Sequence, residues 1–288
     1  MDSSAMASIT PMPPMDSMSS TNHVVMVPMR PPSDVSHMGA VGAKAETRMS
    51  ALSQYFQTIE GMTDEPLQAS NESTPTLARP GILVMDVDST LIDQEVIDEL
   101  GVAAGVGGQI AAVTARAMAG ELEFCEALRE RVKLLAGLPV SVFDEVYHRI
   151  TFTNGALDLI DALHQHGWTV GVVTNGLHEV VERLVEGAQS DHALSNRLEV
   201  VDGRLTGRVL GEIVCKTTKL HALQAWARLD GIAVDQTVAV GDGANDIPMI
   251  KAAGLGVAFC AKPKVQLAAD VAINERDLRQ VLGLLSRD

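Results

Sequence analysis

Gly81-Ile82-Leu83-Val84-Met85-Asp86-Val87-Asp88-Ser89-Thr90 is the stretch on which the reading of this chain turns. An unbroken apolar run ending in an acid is expected of a strand buried on both faces of a parallel sheet, where no face needs polar residues. The same form recurs over residues 168–174, which end in a hydroxyl residue, and over 237–242, which again end in an acid. Shorter apolar runs at 255–259 and 270–273 read as two further strands. Apolar residues at helical spacing fill 156–166, 177–186, 216–229, 246–253 and 277–285. Strands alternating with helices predict an α/β fold, a doubly wound parallel sheet whose ligands lie outside the carboxyl ends of its strands. The polar residues that close the three long runs occupy those ends.

Three segments depart from the alternation. Residues 93–153 read as successive helices (96–103, 109–119, 122–135 and 140–149), a helical cap inserted after the first strand. Residues 198–209 alternate around Asp202-Gly203 and predict a hairpin. The first 80 residues hold ten of the 13 Met and nine of the 12 Pro with no sustained period, which predicts a disordered or weakly structured leader. Within it, 42–62 carries a helical pattern that would dock on the body. The expected organisation is therefore a leader over 1–80, a catalytic core over 81–92 and 154–288, and a cap over 93–153.

Bulk composition narrows the function. With 46% hydrophobic and 20% charged residues, the 288-residue chain has the make-up of an ordinary globular protein. A formal charge of −15 disfavours nucleic acid, which clustered Lys and Arg would have to bind. No apolar run approaches the ~20 residues of a membrane span, and no secretory signal opens the chain, so neither membrane nor export is expected. Cys125, Cys215 and Cys260 show neither disulfide nor zinc spacing and read as small apolar fillers in a reducing cytoplasm.

Asp86 and Asp88 stand on the same side of an extended chain, so one carboxylate can attack while the other manages a proton. The plain alternative is an acid-rich turn, since Asp and Ser favour turns for local hydrogen bonding. A second signal weighs against it. Gly241-Asp242-Gly243-Ala244-Asn245-Asp246 also follows a buried strand, and its acids with Asp86 suit a hard oxygen site of the kind magnesium prefers. Alone, that segment is also a fair helix start with Asp246 as N-cap. Thr174, Asn175 and Gly176 close another strand, where a hydroxyl and backbone N–H groups can hold a phosphate. Lys216 opens a helix. In isolation it would be a solvated surface lysine, but so many acids around an anion require a cation besides the metal.

The DxDST segment at Asp86, the Thr after a strand, the Lys and the GDGxND segment, in this order, resemble the four motifs of the haloacid dehalogenase superfamily of phosphatases. Within it, residues 86–259 resemble the phosphoserine phosphatases, notably in Gly211-Glu-Ile-Val, in the run from Gly241 to Gly256 and in Ala261-Lys262-Pro263. The resemblance implies that Asp86 is a covalent nucleophile and Asp88 the acid and base. It further implies magnesium on the carboxylates of Asp86 and Asp242 and the carbonyl of Asp88. Thr174 and Lys216 would grip the phosphoryl group, with Asp246 orienting the lysine and Asn245 near the phosphate. In the cap it implies that Glu95 meets an ammonium, Arg131 a carboxylate, and that Met118 with Phe124 walls off water. The implied substrate is a small phosphorylated amino acid, phosphoserine, at the last step of serine biosynthesis. Oligomeric state is left open, with a homodimer admitted.

One departure is evident. The family usually reads Ser-Gly-Gly-Phe where this chain has Thr174-Asn175-Gly176-Leu177, so Asn175 adds a side chain where bare backbone is normal. Competing expectations are the same chemistry on phosphohomoserine, phosphothreonine or phosphoethanolamine, phosphotransfer to an acceptor alcohol, a phospho-receiver signalling module, and a catalytically dead binding protein. Receivers lack a cap and an acid two residues past the nucleophile, and a dead relative would have lost one of the motif acids.

Overall fold

The computed structural model describes residues 74–286. β1 (Ile82–Met85) lies at the centre of a seven-stranded sheet of order β4-β3-β2-β1-β5-β6-β7. Its neighbours are β2 (Thr169–Leu177) and β5 (Thr237–Gly241), both parallel to it, in a register that pairs Met85 with Val172 and with Val240. β6 (Leu255–Phe259) and β7 (Val271–Ile273) extend the parallel side beyond β5. On the other side lie β3 (His192–Val201), parallel to β2, and β4 (Arg204–Leu210), antiparallel to β3.

Why β1 has no polar residue is visible in its packing. Leu83 and Met85 join a core with Leu159, Leu163, Val180 and Leu278 on one face, while Ile82 and Val84 join Ala222, Trp226 and Met249 on the other. Each strand residue alternates between two buried layers, so every position is apolar. The first layer belongs to α5 (Ala156–Gln165), α6 (His178–Ala188) and a 3₁₀ helix over Leu278–Leu284. The second belongs to α7 (Lys216–Leu229), α8 (Ile247–Ala252) and α9 (Pro263–Gln266). Gly171 in β2 lets α7 come close: a Cβ there would stand 2.6 Å from the Trp226 ring.

Between β1 and α5 the chain forms α1 (Val96–Ala103), α2 (Gly107–Met118), α3 (Phe124–Lys133) and α4 (Val142–Tyr147). The β3–β4 hairpin braces this block: Gly137 N donates to Leu205 O at 2.8 Å and Val140 N to Gly203 O at 3.0 Å. The neck where the block leaves and rejoins the sheet is closed by an antiparallel bridge between Ile92 and Phe152. Arg276 ties it further, donating to Ser89 O, Ile92 O and Thr153 Oγ1 and pairing with Asp93 at 2.6 Å.

Four expectations are corrected. β2 stays extended through Leu177, where a helix was expected to begin. β3 starts at His192, six residues before the expected hairpin, because its first half is held by parallel pairing to β2 and needs no alternation. The last segment is 3₁₀ and not α. The leader does not run to residue 80: Thr76 N donates to Gln236 Oε1 at 2.8 Å, Leu77 N to Ser286 O at 2.8 Å, and Leu77 is buried. The remainder of the leader, including the helix expected over 42–62, lies outside the described residues.

Candidate active site

Sheet order assembles the site. Asp86 follows β1 directly, its backbone N–H donating to Val240 O at 3.1 Å on β5, so Asp242 at the end of β5 becomes its neighbour. Thr174 lies on β2, on the other side of β1. Three segments far apart in sequence thus end side by side.

Asp86 is 5% exposed. Its Oδ1 accepts from Val87 N at 2.7 Å and its Oδ2 lies 2.8 Å from Lys219 Nζ. The chain then turns sharply, with Ser89 in the left-handed region at φ 57°, which carries Asp88 back over the strand end. Asp88 Oδ1 accepts from Val96 N at 2.9 Å and Oδ2 from the Thr174 hydroxyl at 3.1 Å. That hydroxyl in turn accepts from Gly176 N at 2.8 Å. Gly176 has no room for a side chain, since a Cβ would stand 2.7 Å from Asp88 Oδ2. Burial, and then the charge of Asp86, push the Asp88 carboxyl up to about 6.

The expected lysine is corrected. Lys216 is exposed at the start of α7, and Lys219, one turn on and wholly buried, reaches the acids. Its Nζ lies 2.7 Å from Asp246 Oδ1 as well as against Asp86. Burial alone would lower its pKa, but Asp246 and Asp86 hold it above the ordinary lysine value. The signal was present in the sequence: Lys219, Ala222, Leu223 and Trp226 form one buried stripe at helical spacing, and a lysine on an apolar stripe needs a buried partner.

Asp246 is fully buried, its Oδ2 accepting from Gly243 N at 3.0 Å. One oxygen from each of Asp86, Asp242 and Asp246 lies within 4.8 Å of the others. Burial, and then the charge of Asp86, raise Asp242 to about 6. Burial raises Asp246 to about 7, with Lys219 opposing the rise. Three crowded carboxylates against one ammonium form an all-oxygen donor set short of positive charge, and that chemistry fits a hard divalent cation.

The second-motif loop also differs from expectation. The Asn175 side chain does not turn towards the acids. Its Nδ2 donates to Val214 O, and its Oδ1 accepts from Asn245 Nδ2 at 2.6 Å. Asn196, which sequence reasoning missed, donates to Asn175 O at 2.8 Å and accepts from Val214 N at 2.9 Å.

On the helical block, Glu95 accepts from the Ser89 hydroxyl at 2.7 Å. It keeps one side open to solvent, while protein crowding on the other, with the charges of Asp88 and Asp242, pushes its carboxyl up to about 8. Arg131 is half-buried on α3, its Nε donating to Ala127 O at 3.4 Å. Burial lowers its pKa, and the acids opposing that are Asp98, Glu95 and Asp88, so the guanidinium shares their field. Phe124 is half-buried at the start of α3. Met118, at the end of α2, is 66% exposed.

A doubly wound sheet with a buried acid after its first strand, a second acid two residues on, a buried lysine and an acidic loop after β5 defines a class of phosphoryl-handling hydrolases. The family model for haloacid dehalogenase-like hydrolases matches residues 83–251, and the chain belongs to this family. Within it, the chain falls among the phosphoserine phosphatases. It is 55% identical over 205 residues to the phosphoserine phosphatase of Streptococcus thermophilus, covering 71% of this chain and 95% of that one. Two solved structures are similar at 43% identity and TM-score 0.69. One is a phospho-aspartyl intermediate analogue of a phosphoserine phosphatase, covering 72% of this chain and all of that one. The other is a substrate-bound phosphoserine phosphatase complex, covering 72% of this chain and 99% of that one.

Proposed function

We propose that this chain hydrolyses O-phosphoserine to serine and inorganic phosphate through a phosphoryl group carried on Asp86, with magnesium as cofactor. The observation that carries the reading is Asp86 itself: a buried carboxylate at a strand end, beside a buried ammonium and two residues from an acid poised near neutrality. Similarity to phosphoserine phosphatases, one of them solved as an aspartyl-phosphate analogue, supports it.

In the first step an Asp86 oxygen attacks phosphorus and the bond from phosphorus to the serine oxygen breaks. Asp88, protonated, gives its proton to that departing oxygen. In the second step water attacks the phosphorus, Asp88 takes its proton, and the bond to Asp86 breaks to release phosphate. A carboxyl near 6 serves both directions, because it is neither too weak an acid nor too weak a base near neutral pH. Lys219 offsets charge on the phosphoryl oxygens, and the Thr174 hydroxyl with the Gly176 backbone shapes their seat. When bound, magnesium would be held by Asp86 and Asp242 with Asp246 beside them, and would neutralise charge on the phosphoryl group.

Substrate choice falls to Glu95 and Arg131, whose opposite charges match an amino acid's ammonium and carboxylate. Phosphoethanolamine has no carboxylate for Arg131. Among the described residues no helix is long and apolar enough to cross a membrane. The test is phosphate release from L-phosphoserine, phosphothreonine, phosphohomoserine, phosphoethanolamine and an aryl phosphate, with magnesium and with chelator. Preference for phosphoserine that disappears with chelator is the expected result. A different favourite would overturn the substrate, and no hydrolysis of any of them would overturn the chemistry.

A further inference from the structure

Asn175 is where this chain leaves the family's second motif, and its carboxamide is fully engaged. The Oδ1 accepts from Asn245 Nδ2 at 2.6 Å, and the Nδ2 donates to the carbonyl of Val214. A ring then closes through Asn196: its Nδ2 donates to Asn175 O at 2.8 Å, and its Oδ1 accepts from Val214 N at 2.9 Å. Asn196 is 1% exposed and Val214 3%, and the bond from Val214 N is buried while the other three are partly buried, where an unpaired amide carries a cost.

The three segments so joined each bear part of the phosphoryl site. Asn175 follows Thr174 and precedes Gly176. Val214 is two residues before α7, the helix that presents Lys219. Asn245 adjoins Asp246, the partner of Lys219. We propose that Asn175 is a positioning residue that fixes the Asn245 carboxamide and ties the Thr174, Lys219 and Asn245 segments into one unit around the phosphoryl group. This rests on the phosphatase reading above. Glycine at this position would supply neither bond, so the two bonds are properties of the asparagine side chain itself.

The role predicts coupling between Asn175 and Asn245 that a merely structural asparagine would not show. Inorganic phosphate with magnesium is titrated calorimetrically into the wild type, Asn175→Ala, Asn245→Ala and the double variant, and kcat and KM for phosphoserine are measured on the same samples. Asn175→Ala is expected to weaken phosphate binding about tenfold, the scale of one positioning hydrogen bond. In the Asn245→Ala background the further loss should fall to about twofold or less, because the group being positioned is gone. Should Asn175→Ala fail to fold, Asn175→Gly, which restores the family's residue, gives the same comparison. Losses that multiply, or phosphate binding in Asn175→Ala or Asn175→Gly equal to wild type, would overturn the proposal. A wild type that binds phosphate but leaves phosphoserine intact overturns the substrate reading alone. A wild type that binds no phosphate overturns both.

Discussion

Nζ of Lys219 lies 2.8 Å from Oδ2 of Asp86, and both side chains are almost wholly withdrawn from water. With Asp246 at 2.7 Å on its other side, the lysine is a fixed positive charge between the proposed nucleophile and the acidic loop. Removing one partner from such an assembly leaves charge uncompensated, so Lys219→Met should destabilise the fold by about 3 kcal/mol. It should also lower kcat/KM by about 10²- to 10³-fold, as loss of one preorganised charge donor does elsewhere. Lys216→Met, exposed one turn earlier, should change activity less than about twofold. Thermal melting and steady-state kinetics decide it. Loss in Lys216→Met with activity kept in Lys219→Met would restore the sequence expectation.

That misplacement by one turn shows what the sequence carried and what it did not. The strands were legible because both faces of the sheet are buried, which leaves no polar residue in Ile82–Met85. The acids were legible because each follows such a run. The lysine was not, because a helix start at Lys216 and a buried stripe through Lys219 compete, and only packing against the sheet shows which cation is turned inward. Asn196 and Arg276 were invisible for a related reason. Asn196 lies in the part of β3 held by parallel pairing, and Arg276 gathers three backbone or hydroxyl oxygens from the neck across more than 120 residues of sequence.

Asp88 is held by Val96 N and the Thr174 hydroxyl at a pKa suited to an acid. Asp86→Asn should abolish turnover of every phosphomonoester, since an amide is a poor nucleophile. Asp88→Asn should behave differently with the leaving group. An aryl phosphate departs without needing a proton, so Asp86 should still be phosphorylated, while release by water, which needs a base, should stall. Intact-protein mass spectrometry after mixing with the aryl ester should then show one added phosphoryl group. With phosphoserine none should accumulate. Failure to trap the adduct with either ester would count against the division of labour between the two acids.

The crowded carboxylates also set how stability follows pH. Asp88 and Asp242 stand at about 6 in the folded, metal-free protein, above their ordinary value of 3.8. Between those values the folded state binds more protons than the unfolded one, so this contribution is complete at low pH and is lost as pH rises through about 6. Without metal, the melting temperature should fall as pH is raised from 5 to 7. Magnesium at about 100 times its dissociation constant should restore about 2.7 kcal/mol, a rise of about 5–10 °C. Asp242→Asn should flatten the metal-free pH dependence and remove the response to magnesium. A melting temperature indifferent to magnesium at pH 7 would mean that Asp86, Asp242 and Asp246 do not form its site.

Arg131 and Glu95 share one electrostatic field on the block above the acids, Glu95 being among the charges that act on the arginine. A planar guanidinium facing a substrate carboxylate makes two parallel hydrogen bonds that a methyl group cannot replace, and the carboxylate would otherwise be left unpaired. Arg131→Ala should therefore lower kcat/KM for phosphoserine by about 10²-fold or more. An aryl phosphate, which offers no carboxylate, should lose less than about threefold. Because Arg131 also opposes Glu95, the variant's kinetics belong beside those of Glu95→Gln, which should hurt phosphoserine and spare the aryl ester in the same way. Equal losses on both substrates in both variants would mean that the helical block governs folding or access and leaves recognition of the amino acid to other residues.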